Sequence, residues 1–313
     1  MNTQSNAVPE FPRDSHMNDS QGIPAAMSAT RPMYWSIRRE LWENRSIYIA
    51  PLAVAAVVLF GFLIATMGYA LSVTDPALRR AALEGPYSFA MDLIMGTAFI
   101  VSVFYSLEAL HGERRDRSIL FWKSLPVSDF TTVLSKASIP LVILPLLSFA
   151  IVVVTQSIML LLSSMVLLGS GLNVATRWTP SSLLQMSLML LYHLVTVHVL
   201  WYAPIYGWLL LVSGWARRAA FLWATLPWLA ICAVEKIAFN TTHFASLLGY
   251  RFTGGPEAIA GPDSILDPMT HLTPGRFLSS PGLWIGLVIA AGFLAAAVRL
   301  RRYQGPILFA RSW

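Results

Sequence analysis

The chain has 313 residues, of which 56% are hydrophobic and only 12% are charged. A soluble domain carries roughly twice that share of charge, so a water-soluble globular fold is excluded and an all-α polytopic membrane protein is expected. The net charge of +6 would suggest a nucleic-acid partner in a soluble protein; here it reads as Lys and Arg retained on the cytoplasmic side, with the lipid bilayer as partner and no nucleic acid. The single cysteine, Cys232, rules out an intrachain disulfide framework and a thiolate metal cluster.

The first 32 residues are polar, contain Pro9, Pro12, Pro24 and Pro32, and lack the apolar core of a secretory signal. They are expected to form a disordered cytoplasmic tail, because they bury too little apolar surface to offset the entropy of ordering them. A membrane domain over residues 33–302 follows. Its first piece, Met33 to Ile47, sets Tyr34, Ile37 and Leu41 on one helical face, Trp35 and Trp42 at its edge, and Arg39, Glu40 and Glu43 opposite. That pattern suits an amphipathic helix lying in the membrane interface.

A crossing helix needs about 20 apolar residues. Six stretches qualify: Tyr48 to Leu71, Pro86 to Leu107, Ile139 to Leu168, Leu183 to Val212, Arg218 to Phe239, and Leu283 to Val298. The third is long for one crossing and is interrupted by Thr155, Gln156 and Ser157, but neither Gly nor Pro is there to turn the chain. It is therefore read as one helix. Between the fifth and sixth stretches lies an outer loop, residues 240–282, rich in Gly and Pro, with apolar pieces such as Phe244 to Leu248 that can form short helices. A cytoplasmic tail, residues 303–313, closes the chain.

Six crossings with both termini inside place 16 of the 22 basic residues on the cytoplasmic side and 6 outside. The positive-inside rule favours this topology, and it gives a multi-pass protein of the cell inner (cytoplasmic) membrane.

Motifs for chemistry are absent. The chain has no Gly-Lys pair, hence no phosphate-binding loop, and neither a His-Glu-x-x-His pair nor a Gly-x-Ser-x-Gly elbow. His193 and His198 are five residues apart, about 140° around an α-helix, and should not share a face. Asp92 is the one acid inside the second stretch and a possible intramembrane polar site, either functional or paired with Arg79 or Arg80. An enzyme is therefore not expected, and the chain itself needs no cofactor.

The segment from Glu108 to Lys136 is the informative one. Glu108 to Arg117 is dense in charge and is expected to continue the second helix into the cytosol, with Glu113 tied to Arg38 or Arg39. Ile119, Leu120, Phe121 and Trp122 make a patch too short to span a bilayer, followed by Lys123, Leu125 and the helix-breaking Pro126. Ser128 can cap the next helix with Asp129 in its first turn. An apolar knob framed by charge suits docking to a partner; the alternative is a re-entrant or interfacial turn that merely packs on the bundle.

The run E-x-x-x-x-E-R-R-x-x-S-I-L-F-W-K-S-L-P-V-S, from Glu108 to Ser128 and followed by Lys136, resembles the signature of ATP-binding-cassette exporter permeases of the second (ABC-2) type. The interfacial helix, the coupling segment between helices 2 and 3, and the long outer loop between helices 5 and 6 match that family's layout. The resemblance implies a permease subunit that exports a substrate with a separate ABC ATPase subunit, which binds ATP and Mg, and with a second permease copy or a sister permease. It assigns ATPase coupling to Glu108, Glu113, Arg114, Arg115, Arg117, Ile119, Leu120, Phe121, Trp122, Lys123, Leu125 and Pro126. The alternatives are an integral-membrane enzyme acting on lipid or peptide, which would need Asp92, His193 and His198 to converge at one depth, and a secondary transporter, which would be expected to show internal repeats, broken helices or several buried charges.

Overall fold

The computed structural model describes residues 30–72, 76–124, 127–169, 180–253 and 274–303. The fold among them is all-helical: α1 (Thr30–Glu43), α2 (Ser46–Ser72), α3 (Pro76–Glu108), α4 (His111–Arg115), α5 (Ile119–Ser124), α6 (Asp129–Ser138), α7 (Leu144–Gly169), α8 (Pro180–His193), α9 (Ala203–Trp215), α10 (Ala220–Phe239), α11 (His243–Phe252), α12 (Pro274–Leu278) and α13 (Pro281–Tyr303). Five segments are long and apolar enough to cross a membrane: Ser46–Thr66, Pro86–Arg115, Asp129–Met165, Ala220–Phe239 and Pro281–Tyr303. A sixth candidate is a pair of helices, Ser187–Trp201 and Ala203–Trp215, bent by 45° at the break.

Two of these elements carry π-helical turns, and proline explains their position. Ser128 caps α6 by accepting the Thr131 amide at 3.0 Å. Pro140 then supplies no N–H to the helix ladder, and the turn Ile139–Ile143 widens until the Leu144 amide reaches the Ile139 carbonyl, five residues back. Beyond it α7 runs through Thr155, Gln156 and Ser157 without interruption, Thr155 Oγ1 donating to the Ile151 carbonyl at 2.7 Å. The second π turn, Leu194–Trp201, precedes Pro204, and the Tyr202 amide bonds the Val197 carbonyl at 2.9 Å. The stretch from Leu183 to Val212, expected as one straight helix, is therefore bent.

Packing follows the apolar stripes. Ile47, Ala98, Tyr105, Ala137, Ile139, Leu144 and Leu210 form a core joining α2, α3, α6, α7 and α9. α9 meets α13 closely because Gly207 has no side chain: a Cβ there would stand 3.3 Å from the Ala290 carbonyl and 3.4 Å from Phe293 Cβ. Small residues permit such approaches in membrane bundles. α10 buries only Ala224. At its end Asn240 takes a left-handed conformation (φ 50°) and turns the chain back. The Glu235 carboxylate then accepts the His243 and Phe244 amides at 2.7 and 2.9 Å, capping α11, and Phe244 stacks on Trp228 of α10. Of the apolar pieces expected to form short helices in the outer loop, Phe244 to Leu248 falls in α11, while Ala258 to Ala260 and the pair Ile265 and Leu266 lie in residues 254–273, outside the described residues; α12 was not among them.

Three expectations need correction. α1 begins at Thr30, inside the stretch assigned to the tail, and its apolar and polar faces are not the inner and outer ones: Ile37 and Leu41 pack on the core, but so does Glu40, 2% exposed, whereas Tyr34 is 58% exposed. α3 does not continue through Arg117. It stops at Glu108, and the freed Leu110 and His111 amides both donate to Ser213 Oγ of α9 at 2.9 Å. Finally, α13 extends past Val298 to Tyr303, which carries Arg301 under the bundle.

Candidate functional site

A crossing needs about 20 residues, so the 30-residue segment Pro86–Arg115 outruns the hydrocarbon core. Its last turns carry the charged residues Glu108, Glu113, Arg114 and Arg115. There the chain gathers a buried ionic cluster from five helices. Lys136 of α6 is 3% exposed and lies between two carboxylates, its Nζ 2.8 Å from Glu40 Oε1 and 3.2 Å from Glu113 Oε1. Arg39 of α1 bridges the same two acids at 3.0 and 3.1 Å. Arg301 of α13 pairs with the other Glu113 oxygen and donates to Asp129 Oδ1 at 3.2 Å. Tyr105 of α3 donates its hydroxyl to Glu40 Oε2 at 2.8 Å.

The two most buried carboxylates, Glu40 and Glu113, each accept from more than one donor, which is what buried charge requires. Burial opposes ionisation of Glu113, but Lys136 and then Arg301 outweigh it and hold the carboxyl down at about 2, against an ordinary 4.5. Glu113 therefore stays ionised at neutral pH. The cluster fastens the N-terminal helix, the connection between α3 and α6, and the end of α13 into one unit.

The expected coupling residues divide around this unit. Glu113 reaches Arg39, one of its two expected partners, and also Lys136 and Arg301. Arg114 is buried and donates to the Gly214 carbonyl of α9. Glu108 and Arg115 pair with each other at 2.9 Å on the exposed side of the α3–α4 turn. Arg117 is exposed and adopts a positive φ of 59°, where the chain turns into α5. Ile119 is 2% exposed and points inward, while Leu120 and Phe121 are 59% and 60% exposed. Trp122 is half-buried beneath Arg39, whose guanidinium lies 3.6 Å from the ring centroid, and Phe121 meets it edge-on at 4.9 Å. Lys123 is exposed and donates to the Arg302 carbonyl at 3.4 Å. Leu125 and Pro126 lie outside the described residues.

Glu40, Tyr105, Asp129 and Arg301 were not legible as site residues. Their partners are far away in sequence: Glu40 and Lys136 are 96 residues apart, Arg301 and Glu113 are 188. One signal was available, the single lysine Lys136 among the otherwise uncharged residues that lead into α7.

Asp92 is exposed on α3; the side chains of Arg79 and Arg80 lie outside the described residues. His193 lies just before the π turn and His198 within it. His193 is exposed; His198 is buried against the Tyr202 ring, with neither ring nitrogen hydrogen-bonded among the described residues.

No family model, no curated protein and no solved structure matches the chain.

Proposed function

We propose that this chain is the permease subunit of an ATP-binding-cassette exporter of the second type, working with a separate ATPase subunit that binds ATP and Mg. In this reading it crosses the cell inner membrane six times, the bent pair α8–α9 counting as one crossing, with both termini in the cytoplasm. α1 lies in the interface, and two permeases, identical or sister chains, enclose the path. The chain performs no chemistry itself; a partner shifts it between states by contacting them unequally.

The observation that carries the reading is the mounting of α5. Leu120 and Phe121 stand out into solvent on a helix whose root is fixed by Ile119, by Trp122 under Arg39, and by Glu113 in the buried cluster. An exposed apolar pair flanked by Arg115, Arg117 and Lys123 suits a groove with an acidic rim, in which buried aromatic anchors contribute most of the affinity. A displacement of α5 passes through Glu113 to Arg301 on α13, and through Lys136 to the start of the α6–α7 helix. Rigid buried links of this kind carry motion between distant elements.

The test separates docking from folding. Phe121→Ala should weaken binding of the ATPase by about 2 kcal/mol, as loss of a buried aromatic anchor does, and lower substrate-stimulated ATP hydrolysis, while membrane insertion and thermal stability stay normal. Ile119→Ala should instead destabilise the permease by about 2–4 kcal/mol, the cost of truncating a core isoleucine. Unchanged co-purification and hydrolysis in Phe121→Ala would remove the basis of the reading.

A further inference from the structure

Arg251 stands in the last turn of α11, and its guanidinium is lodged in a slot built for a flat cation. One wall is the indole of Trp201, with Cζ 4.2 Å from the ring centroid. The rim is the Gly282 carbonyl, which accepts from Nη1 at 3.0 Å. The opposite wall is Gly286: a Cβ built there would lie 1.8 Å from Nη2 and 2.7 Å from Cζ, so only glycine leaves the space open.

The slot is held in shape independently of the guanidinium. Trp201 is fully buried, its Nε1 donates to the Arg251 carbonyl at 3.0 Å, and the rings of Tyr250 and Phe277 lie 5.5 and 6.2 Å from it. Tyr202 fastens the end of α11 by donating to the Phe252 carbonyl at 2.9 Å. The site sits where the π turn ends and the α8–α9 pair bends by 45°. Among the described residues Arg251 has no carboxylate partner, and its Nη2 no hydrogen-bond partner. Among the described residues its contacts are the negative face of an indole and one carbonyl dipole, the kind of contact by which aromatic sites recognise organic cations.

We propose that the Trp201–Gly282–Gly286 slot is a binding site for a guanidinium or amidinium group, that Arg251 fills it as a built-in plug, and that a flat cationic group on the cargo displaces the plug. The role of cargo rests on the exporter reading; occupancy of the slot does not.

The test is chemical rescue of the purified full-length chain. Arg251→Ala should lower the apparent melting temperature by roughly 2–4 °C, the shift expected for a modest local loss in a chain of this size. Millimolar ethylguanidinium should recover that loss, because a ligand that binds only the folded state stabilises it by mass action. Ethylammonium, tetrahedral rather than flat, should recover none of it, and the wild type, its slot already filled, should gain nothing from either. Adding Gly286→Ala to Arg251→Ala should abolish the recovery, since the new methyl occupies the vacated space. Equal shifts in wild type and variant, or no advantage of ethylguanidinium over ethylammonium, would overturn the proposal. If Arg251→Ala does not survive purification, Arg251→Gln carries the same comparison. No ATPase enters this assay, so its failure leaves the exporter reading standing, and failure of the Phe121 test leaves the slot standing.

Discussion

Lys136→Met is the sharpest perturbation of the ionic cluster. Lys136 Nζ is the shared cation of two buried carboxylates, at 2.8 Å from Glu40 and 3.2 Å from Glu113, with all three side chains no more than 7% exposed. Removing one partner from a buried ionic set typically costs about 3–5 kcal/mol, because the remaining charge is stranded in a poor solvent. Arg39 still bridges both acids, and Arg301 still holds Glu113. The lower end, about 3 kcal/mol, is therefore expected. At about 2–4 °C per kcal/mol in a chain somewhat smaller than this one, the apparent melting temperature should fall by roughly 6–12 °C. Intrinsic fluorescence during heating in detergent is a suitable assay, since Trp122 lies directly under Arg39 at the cluster edge. Two controls fix the interpretation. Glu43→Gln removes an acid that is 52% exposed and should change stability by less than about 0.5 kcal/mol. Lys136→Met combined with Glu40→Gln removes the stranded charge as well and should be more stable than Lys136→Met alone, since contacting residues are not additive. A Lys136→Met protein as stable as wild type, or a double variant that simply sums two losses, would refute the view that these charges are a coupled unit.

Gly207→Val should overpack the α9–α13 contact and cost about 1–3 kcal/mol, read as a lower melting temperature, because its Cβ would meet the Ala290 backbone at 3.3 Å. Acid should loosen the same ionic cluster. The folded-state carboxyl of Glu113 is held at about 2, below its ordinary 4.5, so its contribution is complete above pH 4.5 and is lost as pH falls towards 2. Thermal stability should decline over that window, and Glu113→Gln should flatten the decline. For topology, a cysteine at Thr179 or Gly261 in a Cys232→Ser background should react with an impermeant reagent added outside intact cells, and one at Ser118 should not; labelling of Ser118 from outside would exclude six crossings with cytoplasmic ends.

Legibility in the sequence followed the range of the physics. Crossing a bilayer demands a local run of about 20 apolar residues, so α2 and α10 could be read within a few residues of both ends. The Ser128 cap could be read for the same reason, since it acts over three residues. The apolar knob at α5 was visible as composition, but its orientation was not: Ile119 and Leu120 are adjacent and chemically alike, and only packing sends one inward and the other out. The faces of α1 were misjudged because amphipathicity assumes that charge seeks water. In the folded chain Arg39 and Glu40 turn inward, where Lys136 and Glu113 complete their hydrogen bonds.

Tertiary structure alone decided the rest, wherever a buried group had to find its complement far along the chain. α3 ends at Glu108 because Ser213 of α9 is there to take the two freed amides. Arg251 finds its place only because Trp201, Gly282 and Gly286 arrive from two other helices. Hydrophobic burial is non-directional and is read from local composition, whereas a buried polar atom is directional and must be satisfied by one particular partner, which the sequence names only through the completed fold.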